Sequence, residues 1–273
     1  MNRLSMEKQI QVIGALVEGN SIRSIERMTG IHRDTIMRLL VRVGNHCQEI
    51  MDTHLQGFHS KYLQADEIWT FVAKKEGRLS QEEKGNTSIG DQYCFVALDA
   101  ETKLIPTFLV GKRNSETALC FIQNLHQKLN GNGRIQLTTD GLKAYREAVW
   151  WTFGGNVDFA QQIKLYASVN PGPGRYSPPR VAEVVSTRIT GNPVEQHIST
   201  SFIERQNLTM RMAIRRFTRL TNAFSKKLEN LKAALALHFA HYNFVRVHRT
   251  LRVTPAMAAG ITDQAWELNK LVP

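Results

Sequence analysis

The spacing of apolar residues is helical over positions 6–44, turns strand-like from about residue 61, and becomes helical again past residue 200. That order calls for a mixed α/β layer core with helices before and after it. In the first helical stretch, MEKQIQVIGALVEG places Ile10, Ile13, Leu16 and Val17 at helical spacing. Asn20-Ser21 break that helix and cap SIRSIERM, which Gly30 closes. HRDTIMRLLVRV then turns Ile36, Leu39, Leu40 and Val43 inward and leaves His32, Arg33, Asp34, Met37 and Arg38 outside. Two short helices joined by a glycine-containing turn make a helix-turn-helix, whose outer side would meet base edges and phosphates. Three small amphipathic helices are also a common packing unit, so charge has to break the tie.

The charge is unevenly placed. The chain of 273 residues has a formal net charge of +11. Residues 205–252 alone hold eleven Lys/Arg against one acid, Glu229. A block of this kind fits a polyanion, most often nucleic acid, as well as a solvated helix face. At 42% hydrophobic and 22% charged residues, the composition is that of a soluble globular protein. No apolar run reaches the roughly 20 residues of a spanning helix, and MNRLSMEKQIQ lacks the apolar core of a secretory signal. The expectation is a cytoplasmic, nucleoid-associated protein without a membrane partner. Cys47, Cys94 and Cys120 are far apart and form no CxxC half-site, which speaks against structural zinc.

The central region reads as strand (KYLQADEIWTFVAKK), hairpin (DQYCFVALDAETKLIPTFLVGKR), helix (SETALCFIQNLHQKLN), strand (RIQLTTDG), helix (GLKAYREAVWWTFG) and strand (VDFAQQIKLYA). The proline-rich residues 170–200 read as a connecting loop or insertion. Two acids occupy favoured positions. Asp66 lies within the first strand, with Glu67 pointing to the opposite face. Asp140 ends a strand just before Gly141, at the edge where open α/β sheets place their sites, although an aspartate there also serves as a turn residue. If the two strands are neighbours, the carboxylates converge, and a buried carboxylate needs a cation.

A third acid, Glu204, heads the basic run SFIERQNLTMRMAIRRFTRL. At about 100° per residue, Ile203, Met210, Ile214 and Phe217 form one apolar stripe. Glu204 falls about a quarter-turn away, in line with Arg211 and Arg215. The Glu204–Arg211 spacing is not that of a helical ion pair. Three hard oxygen ligands suit Mg²⁺, and two such ions can drive phosphodiester displacement while the arginines hold the DNA backbone.

These residues carry a family resemblance. ADEIWTFV (65–72), TTDGLKAY (138–145) and IERQNLTMRMAIRRFTRLTNAFSKKLENLKAALALHFAHYN (203–243) resemble transposases of the insertion sequence 1 family, within the DDE transposase/integrase superfamily. NSIRSIERMTGIHRDTIMRLL (20–40) resembles that family's helix-turn-helix, and HYNFVRVHRTLRVTPAMA (241–258) the tail of many integrase-type transposases.

The resemblance implies a ribonuclease-H-like mixed five-stranded sheet flanked by helices, with an N-terminal helix-turn-helix (1–58), a catalytic domain (59–220) and a C-terminal basic helical region or arm (221–273). It makes Asp66, Asp140 and Glu204 the catalytic, metal-holding triad for two Mg²⁺ or Mn²⁺ ions; the expectation of no zinc comes from the cysteine spacing and departs from the zinc finger of the family's best-known member. His32, Arg33, Arg38, Asn207, Arg211, Arg215, Arg216 and Arg219 are the expected DNA contacts. The implied activity is cleavage at terminal inverted repeats and strand transfer into target DNA by a homodimer or higher oligomer. The spacer from Asp140 to Glu204 is longer than the superfamily pattern, and Glu195 within it is the rival third ligand. The competing readings are a non-catalytic helix-turn-helix regulator or inactive remnant, and a ribonuclease-H-like nuclease.

Overall fold

The computed structural model describes residues 4–131, 133–166, 181–218 and 221–273. Three helices open the chain, and side-chain capping sets where the first two begin. In α1 (Met6–Val17) the Ser5 hydroxyl accepts from the Lys8 amide, and in α2 (Ile22–Thr29) the Ser21 hydroxyl accepts from that of Ser24. Gly30, at φ 68°, ends α2 in a left-handed conformation that costs glycine little. The third helix, α3 (Arg33–His54), runs well past the expected end at Val43. Its buried stripe explains why: Cys47, Ile50 and Met51 continue the face begun by Ile36, Leu39, Leu40 and Val43.

The strands are β1 (Tyr62–Val72), β2 (Gly90–Asp99), β3 (Phe108–Gly111), β4 (Ile135–Thr139), β5 (Val157–Tyr166) and β6 (Val181–Thr190). They form one sheet in the order β3-β2-β1-β4-β5-β6. The first three make an antiparallel meander, β4 and β5 run parallel to β1, and β6 returns antiparallel to β5. This is a ribonuclease-H-like sheet with one strand more than the five expected. The extra strand falls in the stretch 170–200 that reads as a loop. Most β6 side chains are exposed, so no buried alternation marks it in the sequence. Residues 170–180 of that stretch lie outside the described residues.

Alternation divides the core between the two faces. Leu63, Ala65, Phe95, Ala97, Leu137 and Phe159 pack under α4 (Ser115–Lys128) and α5 (Ala144–Phe153). Ile68, Val72, Cys94, Val96 and Leu98 join a second core, shared by α1–α3, α6 (Ser201–Ala213) and α7 (Leu228–Ala240). Helix α7 is almost wholly buried and packs along α3. A π-helical turn, His241–Val245, follows it. There the buried Asn243 bonds both the amide and the carbonyl of Ile105, tying the helix to the segment between β2 and β3. A short α8 (Pro255–Ala258) and a 3-10 turn, Leu268–Leu271, finish the chain. Among the described residues, no helix is long and apolar enough to cross a membrane.

The α3–α7 contact depends on a glycine. A Cβ added at Gly44 would lie 2.5 Å from the Cα, Cβ and carbonyl oxygen of Ala233. Gly44→Ala would gain up to about 1 kcal/mol of helix propensity, but the clash is with backbone that cannot rotate away. The expected net outcome is a loss of about 1–3 kcal/mol, measured as a lower denaturation midpoint.

Candidate active site

The site begins with unequal strand lengths. β1 has 11 residues and β4 has five, and the two pair only from Tyr62↔Gln136 to Ala65↔Thr139. Beyond Ala65, β1 keeps β2 on one side and loses β4 on the other. Asp66 stands at this fork, and Asp140 follows the last residue of β4. The Asp140 turn is held closed, because Leu142 N donates to Asp140 Oδ1 (3.0 Å). The buried Gln161 amide donates to the carbonyls of Asp140 (2.8 Å) and Leu142 (3.1 Å). Gly141 leaves space that β5 uses, since a Cβ there would lie 2.9 Å from Ile163 Cγ1.

One carboxylate oxygen from each of Asp66, Glu67 and Asp140 lies within 4.8 Å of the others. Among the described residues this is the one group of His, Cys, Asp or Glu side chains so placed. Asp66 and Asp140 converge as expected. Glu67 was expected on the opposite face, and its surroundings partly bear that out: Tyr145 of α5 donates to its Oε2 (3.3 Å). At the fork, however, no neighbouring strand separates the faces, and its carboxylate reaches the other two. Arg113, which follows β3, donates from Nε to Glu67 Oε1 (2.6 Å) and sits 3.8 Å from Asp140 Oδ2. Sequence pattern gave Arg113 no distinguishing signal.

Helix α6 lies across the same fork. Its second and third amides, those of Phe202 and Ile203, both donate to Gln64 Oε1 of β1 (2.9 and 3.0 Å). Gln162 of β5 bonds Ile198 O and Thr200 N just before the helix. The expected stripe is real, with Ile203, Met210, Ile214 and Phe217 all buried. The helix ends at Ala213, however, and Arg215–Phe217 form a 3-10 turn, which breaks the expected alignment of Glu204 with Arg215.

Glu204 is near Asp66 but outside the three-carboxylate group. It accepts from Thr200 Oγ1 (2.7 Å) and from the ammonium of Lys164 on β5. One turn on, Asn207 Nδ2 donates to Asp66 Oδ2 (2.8 Å), and the buried Asn207 Oδ1 has no partner among the described residues. Glu195 lies in a separate 3-10 turn, paired with Arg188 (3.0 Å) and 67% exposed.

Burial and mutual repulsion act together here. Burial first, then the charges of Asp140 and Glu67, push the Asp66 carboxyl well above the usual range, despite the Glu67 amide that donates to it. Burial and Asp140 raise Glu67 against the pull of Arg113 and Tyr145. Burial also raises Asp140, against Leu142 N and Arg113. Burial lowers Arg113, yet Glu67 and Asp140 outweigh it and hold the guanidinium charged. One arginine thus faces three acids. A hard-oxygen donor set with an unmatched charge, beside an unpaired buried amide oxygen, fits a hard divalent cation.

The expected DNA contacts divide into three places. His32, Arg33 and Arg38 are exposed around the start of α3, where His32 Nδ1 caps the helix by accepting from Asp34 N. Arg215 and Arg216 line a groove of about 880 Å³ together with Arg23 and Arg33. Arg211 lines a second groove, again with Arg216, and donates to Phe217 O (3.3 Å). Arg216 is half-buried, donates to Ser225 Oγ (2.8 Å), and is pulled down to about 10 by burial. Asn207 faces Asp66, and Arg219 lies outside the described residues.

No family model matches the sequence, and no curated protein does. Among solved structures, the chain is similar to the Mos1 strand transfer complex at 13% identity, covering 58% of this chain and 59% of that one, with a TM-score of 0.26. It is similar to a pre-cleavage Mos1 transpososome at 10% identity, covering 58% and 60%, with a TM-score of 0.25. It is also similar to a piggyBac transposase synaptic complex with hairpin DNA at 11% identity, covering 99% and 70%, with a TM-score of 0.39. The chain spans about six tenths of the length of the Mos1 chains. The fold assignment rests on strand order and direction.

The raised carboxyls have a stability consequence. A folded-state pKa above the unfolded value gives stability that is complete below the unfolded pKa and is lost as pH rises through the folded one. Without divalent ions, Asp66→Asn is therefore expected to raise the melting temperature at pH 8 and to change it little at pH 4. Mg²⁺ or Mn²⁺ should stabilise the wild type, and should stabilise Asp140→Asn much less, in the same thermal melts.

Proposed function

We propose that the protein is a DNA transposase that binds transposon ends and carries out metal-dependent cleavage and strand transfer. The carboxylate cluster at the fork of β1 and β4 carries this reading, because a ribonuclease-H-like sheet brings Asp66 and Asp140 to one point under the helix of Glu204. Membership of the insertion sequence 1 family is part of the proposal and is supported by the matching residue blocks. In this scheme residues 1–58 read the end duplex, 59–220 hold the reaction centre and 221–273 brace it with a basic surface. Pairing two ends requires at least two copies. The work is done in the cytoplasm, at the nucleoid.

Asp66, Asp140 and Glu204 would hold two Mg²⁺ or Mn²⁺ ions, and Glu67 is placed to share that task. The chemistry supplied by the bound ions is activation of a water or 3′-hydroxyl and stabilisation of the leaving oxygen. The chain's own residues do the rest. Asn207 orients Asp66, and Arg113 limits the repulsion between Glu67 and Asp140. Lys164 and Thr200 position Glu204 beside them. Arg33, Arg38, Arg211 and Arg215 would hold phosphates, with His32 beside them facing the base edges.

A labelled end duplex with Mg²⁺ tests the reading. Strand transfer should fall by about 10²-fold or more in Asp66→Asn, Asp140→Asn and Glu204→Gln. Full activity of Glu204→Gln with loss in Glu195→Gln or Glu67→Gln would overturn the assignment of the third ligand. Duplex binding by an inactive wild type would favour a non-catalytic regulator instead. Arg33→Ala and Arg38→Ala should each weaken duplex binding and reduce the slope of log affinity against log salt by about one.

A further inference from the structure

A second groove, of about 730 Å³, opens beside the unpaired edge of β1. Trp69, Phe71 and Phe224 supply its aromatic surface. The Trp69 and Phe71 rings are 5.8 Å apart and those of Phe71 and Phe224 4.7 Å apart, at interplanar angles of 36° and 31°. All three side chains are half-buried, so each keeps surface that solvent can reach. Cations surround them. Lys74, Lys75, Arg78, Arg211 and Arg216 line the groove, and none of its described lining residues is acidic. Lys75 Nζ lies 5.7 Å from the Trp69 ring centre and 6.0 Å from that of Phe71, while Lys74 is held by Glu83.

The groove shares strand β1 with the candidate active site, and Trp69 and Phe71 alternate onto the same face of that strand as Glu67. At about 3.3 Å per residue, Trp69 is roughly 10 Å and Phe71 roughly 17 Å along β1 from Asp66. The far end is closed, because Ala73 N donates to Ser225 O (2.9 Å) and Val72 bridges to Ser225. A row of aromatic faces with cationic walls suits a polyanion whose units have free π-faces. In a duplex those faces are covered by neighbouring base pairs and become available only when nucleotides leave the stack.

We propose that this groove binds unpaired nucleotides of a DNA end, stacking bases on Trp69 and Phe71 while Lys75, Arg78 and Arg211 hold the phosphates. The role deepens the DNA-processing reading and rests on it. It predicts that the enzyme takes ends with a single-stranded extension in preference to blunt ones, with little dependence on the sequence of that extension.

The test is binding by the full chain in EDTA, so that cleavage does not enter. Two end duplexes are compared, one blunt and one with a four-nucleotide extension containing 2-aminopurine. The wild type should bind the extended duplex at least about fivefold more tightly and quench the probe on stacking. Trp69→Ala and Phe71→Ala should each lose about fivefold or more on the extended duplex and leave the blunt one unchanged. Trp69→Phe, which keeps a ring, should retain most of the preference. Equal wild-type binding of the two duplexes, or an unquenched probe, overturns this inference and leaves the transposase reading intact. Neither measurement depends on a variant folding. Failure to bind either duplex overturns both.

Discussion

Four paired positions between β1 and β4 set up the rest of the site. Because β4 stops at Thr139, β1 continues past Ala65 with β2 as its one strand partner, and the sheet splits where Asp66 and Asp140 meet. A longer β4 would pair the edge of β1, separate its two faces and leave Glu67 apart from Asp66. The split lets three carboxylates approach, admits α6 over the gap, and opens the aromatic groove farther along the same strand. Its cost is electrostatic, and burial increases it: all three carboxyls are raised by burial, and Asp140 raises Asp66 and Glu67 further.

Neutral side chains hold this charged centre in place. Gln64 accepts from two amides at the start of α6, Gln162 bonds the residues before it, and Gln161 closes the turn of Asp140. Each is half-buried or buried, and each satisfies backbone groups that a sheet or helix would otherwise leave open. These amides add no charge to an acidic site, which a lysine or glutamate in the same position would do. Arg113 and Lys164 supply the positive charge from outside the gap, one on each side.

Much of this could be read from the chain itself. Periodicity gave α1, α2, α4 and α5, each of which buries one face, while β4 and the end of β2 are buried throughout and read as short apolar runs between turns. Asp66 and Asp140 followed from their positions on strands. The misses have physical causes. β6 is exposed and shows no burial pattern. The length of α3 depends on packing against α7, a contact between residues far apart in sequence. Glu67 obeys alternation at its Cβ, yet its carboxylate ends near Asp66 because a neighbouring strand is missing. Arg113 and Lys164 become relevant only once β3 and β5 have been placed. The helical projection of Arg215 failed where Ile214 leaves helical geometry, at φ −105° and ψ 105°.

Helix α3 bears on a different property. Its 22 residues span about 33 Å. The exposed end carries Arg33, and the rest is packed along α7 in the same core as one face of the sheet. Under the proposed function, a duplex read at the tip of α3 would be registered against the carboxylates by a rod rather than by a tether. The number of base pairs between the bases recognised and the bond attacked would then be a property of the fold. In that reading, one residue inserted near the exposed start of α3 would turn its tip by about 100° and advance it by about 1.5 Å, shifting the point of attack in step with the helix.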